Sequence, residues 1–285
     1  MNLINSNEQL TALLPNIAVS VKGEVPLIDK MAPFLGATEK WVCDVFTSQP
    51  VFDTICSLAE ENTLRAATTQ VVVYEAFRRA VPHMDVILTP NGFGIVSNTN
   101  IAPASKERIS RLLDTLLENR DEAISRVLSQ LSADTQWRST EQGMFFASTM
   151  FPNIDVTLRF PKPSGNRWEQ YLSIRETAIV LEEFFATQYL SKELLEVLRS
   201  EVQTGQYRSM AHQRVCRILQ AVEVRCLTSS DPTASMHFEH YALTDIVDVI
   251  RKSPDDFPEW HTSATAELYT PPVFENKKES LGYWF

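Results

Sequence analysis

Along most of this chain apolar residues recur at three- and four-residue spacing, the period of an α-helix with one buried face. Ser6-Asn7-Glu8-Gln9 has the form of a capping box and opens a first helix carrying Leu10, Leu13, Leu14 and Ile17. Pro26 to Phe46 reads as helical with a break near Pro33 to Gly36. A helical hairpin follows from Phe52 to Val81. Its second arm, AATTQVVVYEAFRRAV, is apolar on nearly every side until Arg78 and Arg79, a pattern that belongs in the middle of a bundle. A further helix starts at Ser105, its candidate N-cap, aligns Ile109, Leu112, Leu113, Leu116 and Leu117 on one face, and runs to about Leu131.

Between these helices the period switches to two. Val86-Ile87-Leu88 is a β-prone run, Thr89-Pro90-Asn91-Gly92 is a turn, and Phe93, Ile95 and Val96 resume the run. The spacing predicts a β-hairpin over 85–97. From Ser132 to Arg167 the character changes again: Ile154 to Phe160 is strand-like, and prolines and a glycine surround it. This region reads as a linker, 132–167, between an N-terminal helical unit, 1–131, and a C-terminal unit, 168–285.

The two halves resemble each other. A shift of 143 positions lays Phe46 to Val81 over Tyr189 to Val224 without a gap, pairing Ser48 with Ser191, Ser57 with Ser200, Arg65 with Arg208, Gln70 with Gln213, Val72 with Val215 and Val81 with Val224. That is roughly three times the identity expected of unrelated average compositions. Apolar classes also coincide, as at Ile55 and Leu198, and LTPNGF in the first half has a counterpart in YTPPVF, Tyr269 to Phe274. The expected fold is mainly α: two related helical bundle units, an internal duplication, each with a short hairpin or extended segment. Two helical hairpins of unrelated origin would share some of this periodicity as well.

Composition narrows the function. The 285 residues carry 36 acidic and 26 basic side chains, a net charge of −10, opposite in sign to a bulk binder of nucleic acid phosphates. No apolar run is long enough to span a bilayer and the start lacks a secretory pattern, so a cytosol-like compartment is expected. Cys43, Cys56, Cys216 and Cys226 have no CxxC spacing and read as reduced, buried thiols.

Candidate chemistry is sparse. Phosphate-cradling, zinc-protease and nucleophile-elbow motifs are absent, and no catalytic residue, cofactor or metal is expected. His237-Phe238-Glu239-His240 has the nearest thing to a metal spacing, without a third ligand. The carboxylate pairs Glu182-Glu183 and Asp255-Asp256 read as solvated faces. Arg78, Arg79, Lys106, Arg108 and Arg111 gather positive charge near the hairpin, a rim for an acidic partner or ordinary helix solvation. The hairpin tip, Pro90, Asn91, Gly92 and Phe93, and the aromatic tail, Tyr283, Trp284 and Phe285, are the candidate partner-binding residues, because aromatic anchors dominate interfaces.

The stretch LTPNGFGIVSNTNIAPASKERISRLL, the Leu- and Ile-rich helix after it, and FENKKESLGYWF resemble a family of uncharacterised proteins of Bacteroidetes phages and prophages encoded near the head-to-tail junction genes. The resemblance covers about half the chain, is clearest over Asp85 to Leu117 and in the tail, and brings no catalytic residues. It implies a structural virion protein, a head-tail connector or ring subunit below the portal. Its implied partners are further copies of itself, twelve-fold if portal-associated, the portal and neighbouring tail proteins. DNA would pass without specific binding, no membrane would be involved, and the protein would be made in the host bacterial cytoplasm. A cytosolic helical adaptor for one protein partner is the alternative, and an enzyme with an unfamiliar site a third.

Overall fold

The structure is a computed structural model, and it describes residues 3–14, 25–84, 86–89, 92–95, 105–161 and 165–270. The fold is mainly α. The chain divides into two compact units: residues 1–176 with 202–205, and residues 177–201 with 206–285.

The first unit opens with α1 (Asn7–Leu13), where Ser6 caps Gln9 N and Gln9 Oε1 accepts from Asn5 N. Helix α2 (Leu27–Val42) is continuous through Pro33 and Gly36. The expected break is overturned because one face of the helix, Met31, Leu35, Thr38 and Val42, is buried, and packing against the central helix of the unit outweighs the hydrogen bond that Pro33 cannot donate. A π-helical turn, Cys43–Thr47, leads through Ser48, at φ 71°, into α3 (Gln49–Ser57). Helix α4 (Thr63–Met84) is the central one: it packs on α1, α2, α3 and the long helix after the hairpin, burying Val71, Val72, Val73, Ala76 and Ala80. Strand β1 (Val86–Thr89) pairs antiparallel with β2 (Gly92–Ile95), Val86 opposite Ile95 and Thr89 opposite Gly92. Ser105 caps α5 (Lys106–Leu131), which lies along α4.

The expected linker 132–167 is instead part of the first unit's core. It holds α6 (Thr135–Arg138) and α7 (Glu141–Ala147), and it buries Trp137, Phe146, Met150 and Phe151. Its strand-like run is a 3-10 turn, Ile154–Arg159: the alternation is broken by Leu158, which is exposed, while Thr157 is buried and bonds Ile154 O. A segment without an open sheet edge beside it has no ladder to join.

Helix α8 (Arg167–Gln188) holds the boundary between residues 176 and 177, and α9 (Lys192–Thr204) follows it. The second unit continues with α10 (Met210–Thr228), α11 (Pro232–Phe238) and α12 (His240–Lys252), then two short helices, α13 (Pro258–His261) and α14 (Ala264–Glu267). Helix α12 packs on α10 and buries Leu243, Ile246, Val247 and Ile250.

Candidate functional site

The densest charge in the first unit lies where α4, α5 and the start of α8 meet. Glu75 is buried on α4 and receives Arg78 Nε and Nη2 at 2.8 and 2.7 Å, Arg79 Nε at 2.7 Å and Arg120 Nη1 at 3.0 Å. Burial opposes its charge, yet the bonds and fields of Arg78, Arg120 and Arg79 outweigh that and bring its pKa down to about 2. Arg120, also buried, donates in addition to Asp121 Oδ1 and to Asn166 Oδ1, and Asp121 Oδ2 accepts from Arg167 N, the first residue of α8. Asn166 Oδ1 accepts from Glu169 N. Ser125 bonds Asp155, which pairs with Arg167. Every strong group here is held by another, so the cluster fastens the first turn of α8 to α5 and α4. Arg78 and Arg79 thus turn toward Glu75, while Lys106, Arg108 and Arg111 are exposed.

The second unit buries carboxyl groups under different conditions. Glu182 (α8) and Glu223 (α10) are both fully buried, which overturns the solvated reading of Glu182. Arg199 Nε donates to Glu182 at 2.7 Å. No basic or amide donor reaches either Glu223 oxygen, and the group it meets is the Glu182 carboxyl. Burial, then the charge and hydrogen bond of Glu182, hold Glu223 protonated well above the usual carboxylate range, with Arg199 opposing. His212 is equally enclosed: Nδ1 faces Glu201 Oε2 at 2.9 Å, Nε2 faces Asp256 O at 2.7 Å, and the ring stacks on Phe257 at 4.5 Å. Both ring nitrogens are thus engaged within the unit. Sequence spacing could not reveal these groups, since their partners lie on other elements.

Two short helices, α6 and α13, each carry a buried tryptophan. Trp137 Nε1 donates to Phe46 O at 2.6 Å, and Trp260 Nε1 donates to Tyr189 O at 2.8 Å. Phe46 and Tyr189 are partners under the 143-residue shift. Each tryptophan lies in a short helix, and three residues later a hydroxyl, Thr140 or Ser263, caps the next one. At six positions of the same shift both residues are buried, Leu35 and Ala178, Val42 and Phe185, Val51 and Leu194, Ile55 and Leu198, Val72 and Val215, Ala76 and Leu219, whereas buried Ala67 falls on exposed Met210. The Glu223 position corresponds to Ala80. Between α10 and α12 stands α11; YTPPVF follows α14, and Pro271 to Phe274 lie outside the described residues.

Of the residues singled out in the sequence, Gly92 opposes Thr89 and Phe93 opposes Leu88 in the hairpin. Pro90, Asn91, Tyr283, Trp284 and Phe285 lie outside the described residues. The histidine segment is splayed: His237 is exposed, Glu239 pairs with Arg225 at 2.6 Å, and His240 Nδ1 is hydrogen-bonded to Tyr189 Oη at 3.0 Å. Among the described residues no cluster of three His, Cys, Asp or Glu side chains could hold a metal ion. All four cysteines are buried and outside any disulfide, and burial pushes the Cys43 and Cys226 thiols up to about 11 and Cys216 to about 12, away from thiolate chemistry. No described helix is long and apolar enough to cross a membrane.

Residues 24–147 match a family described as a family of unknown function (DUF6712). The matched stretch is less than half the chain and runs from just before α2 to the last residue of α7. No curated protein and no solved structure matches the chain.

Proposed function

We propose that this protein is a structural subunit of a tailed phage or prophage particle, a head-tail connector or ring component assembling below the portal. The observation that carries this reading is the hairpin β1–β2. It is a two-stranded sheet with no third strand among the described residues, set between the two longest-packed helices of its unit and inside the family-matched stretch. An isolated two-stranded hairpin is marginal in water, and docking on a neighbour stabilises it. Head-to-tail contacts through such a projection close into a ring when the rotation permits. The burial of Glu75, Arg120, Glu182, Glu223 and His212 in internal pairs fits a chain whose polar groups serve its own architecture. The resemblance of 85–117 and of the tail to phage virion proteins supplies the assembly.

We read the two units as diverged copies of one helical unit, on the shared register of burial and the paired Trp137 and Trp260 bonds. In a ring around a DNA channel the acidic excess belongs on the lumen, where it repels phosphates and lets DNA slide.

Light scattering and negative-stain imaging of purified protein, alone and with a portal, test the reading. Closed rings of a fixed number of copies are expected. A monomer that ignores the portal and instead holds one cytosolic protein would replace this reading with an adaptor, and tight, salt-sensitive binding of duplex DNA would remove the channel placement.

A further inference from the structure

Ser6, Ser105, Ser209 and Ser263 each stand one residue before a helix in extended backbone and cap it. Their φ is negative, their ψ lies between 151° and 169°, and each hydroxyl accepts from the N–H three residues on. Ser48, before α3, is different. Its ψ of 158° is that of the other four, but its φ is 71°, and its hydroxyl oxygen is buried with no hydrogen-bond partner. That pair of angles belongs almost only to glycine, and Ser48 is the one non-glycine residue at positive φ among the described residues. Rotation about φ alone separates it from a capping serine.

The turn before it has the slack for that rotation. Cys43–Thr47 is π-helical, and Ser48 N closes the turn on Cys43 O, five residues back instead of four, at 2.9 Å. Tightening the turn to α geometry moves the chain that enters Ser48, and at negative φ its Oγ comes within reach of Val51 N, three residues on. A later part of the chain opposes this. Trp137 Nε1 on α6 donates to Phe46 O at 2.6 Å, and Gln142 Nε2 on α7 donates to Asp44 O at 3.1 Å. Both carbonyls belong to the π turn and would point elsewhere in an α-turn. The Phe46 ring is fixed as well, with its centroid 5.0 Å from that of Trp41 and 4.9 Å from that of Trp168.

We propose that Cys43–Ser48 is a strained hinge with Trp137 and Gln142 as its latch. Helix α3 pivots about Ser48 between the latched arrangement and a relaxed one, in which the turn is α-helical and Ser48 caps α3 through Val51 N. A residue at such a φ persists only where its surroundings over-determine it, and two donors on the carbonyls of the π turn are that constraint. The strain of one residue and the net contribution of two hydrogen bonds are comparable in size, so neither arrangement is far above the other. Hinge and latch both lie inside the family-matched stretch 24–147. The device is internal to the first unit and stands whether or not the protein forms rings.

Hydrogen exchange of the full-length protein, read by mass spectrometry, tests it by comparing 49–57 with α4 and α5. Trp137→Phe keeps a ring and removes the N–H of the latch; it is expected to speed exchange over 49–57 about tenfold and to change α4 and α5 little. Ser48→Gly lets the backbone hold φ 71° without strain, so it should slow the same exchange about tenfold and cancel the acceleration in the Trp137→Phe background. A serine that merely fills the turn predicts the reverse, because glycine loosens a turn it does not relieve. Gln142→Ala, which removes the outer latch bond and leaves the buried tryptophan in place, should give a smaller acceleration that Ser48→Gly also cancels. Exchange over 49–57 that Ser48→Gly leaves unchanged or speeds overturns the proposal. Acceleration in Trp137→Phe and Gln142→Ala that spreads evenly over α4 and α5 overturns it too, because the first unit would then loosen as a whole instead of opening at a hinge.

Discussion

Glu75 on α4 and Glu223 on α10 are buried to the same degree and meet opposite company. Glu75 faces three guanidinium groups and is held ionised; Glu223 faces another carboxyl group and is held protonated. Burial raises a carboxyl pKa in both cases, so the sign of the outcome is decided by the partners alone. In the first unit the partners also tie three elements together, through Arg120 and Asp121 to the start of α8. In the second, the two acids face each other and Arg199 opposes their proximity.

The largest effect should come from removing the centre of the first cluster. Arg120→Met leaves Glu75 and Asp121 buried with fewer donors, and breaking such a network costs about 3–5 kcal/mol, a large part of a typical domain's stability. Arg199→Met, which removes one bond from a partly exposed side chain, should cost clearly less. Urea unfolding of the two variants compares them; equal losses would mean that the first cluster is no more of a clamp than the second.

Next comes pH. Glu75 has a folded pKa near 2 against an ordinary 4.5, so its contribution is complete above pH 4.5 and fades as pH falls toward 2. Glu223 is shifted the other way: its contribution is complete below 4.5 and is lost as pH rises through its elevated folded value. The units should therefore lose stability at opposite ends of the scale. Thermal unfolding from acid to alkaline pH, with Glu223→Gln, isolates the second: the amide cannot ionise, and the alkaline loss, about 1–3 kcal/mol for a buried group left without a partner, should disappear. An unchanged alkaline slope would mean that Glu223 does not carry it.

Much of the helical layout was legible because it rests on local signals. Ser6 and Ser105 cap as their spacing suggested, α5 ends at Leu131, and the apolar arm 66–81 lies in the middle of its unit. The errors are places where tertiary packing overrode local chemistry. Pro33 does not break α2 because the buried face on either side of it holds the helix in line. Ile154 to Phe160 alternates like a strand, yet with no edge to pair with it coils into a 3-10 turn. The buried charges were the least legible. Arg78 and Arg79 look like surface residues until Glu75 is seen between them, and Glu182 is indistinguishable in sequence from its exposed neighbour Glu183.

The two tryptophan bonds offer a sharper test of the kinship between units. Trp137→Phe and Trp260→Phe each remove one indole N–H from a backbone carbonyl, for about 1–3 kcal/mol. If the units descend from one ancestor, the bonds hold the same corner and the two costs should match within about 1 kcal/mol, a difference smaller than the usual context-to-context scatter of buried hydrogen bonds. Denaturant unfolding measures both. A cost confined to one unit would reduce the paired bonds to coincidence.

The smallest expected effect on stability lies in what separates α4 from α5 and α10 from α12. In the first unit this is the hairpin, where β1 touches α4; in the second it is α11, which packs on both α10 and α12. Replacing 86–95 by a Gly-Ser linker exchanges one connection for another of similar length and is expected to shift stability by about 0.5 kcal/mol or less. Replacing 232–238 removes a helix packed on two others, and should cost more. If the hairpin is the handle by which copies join, its loss should abolish rings while the protein melts as before, whereas the α11 replacement should lower the melting temperature and leave ring formation intact. Rings that persist without the hairpin would move the contact elsewhere on the chain, and a melting temperature that collapses without it would make the hairpin part of the first unit's own packing.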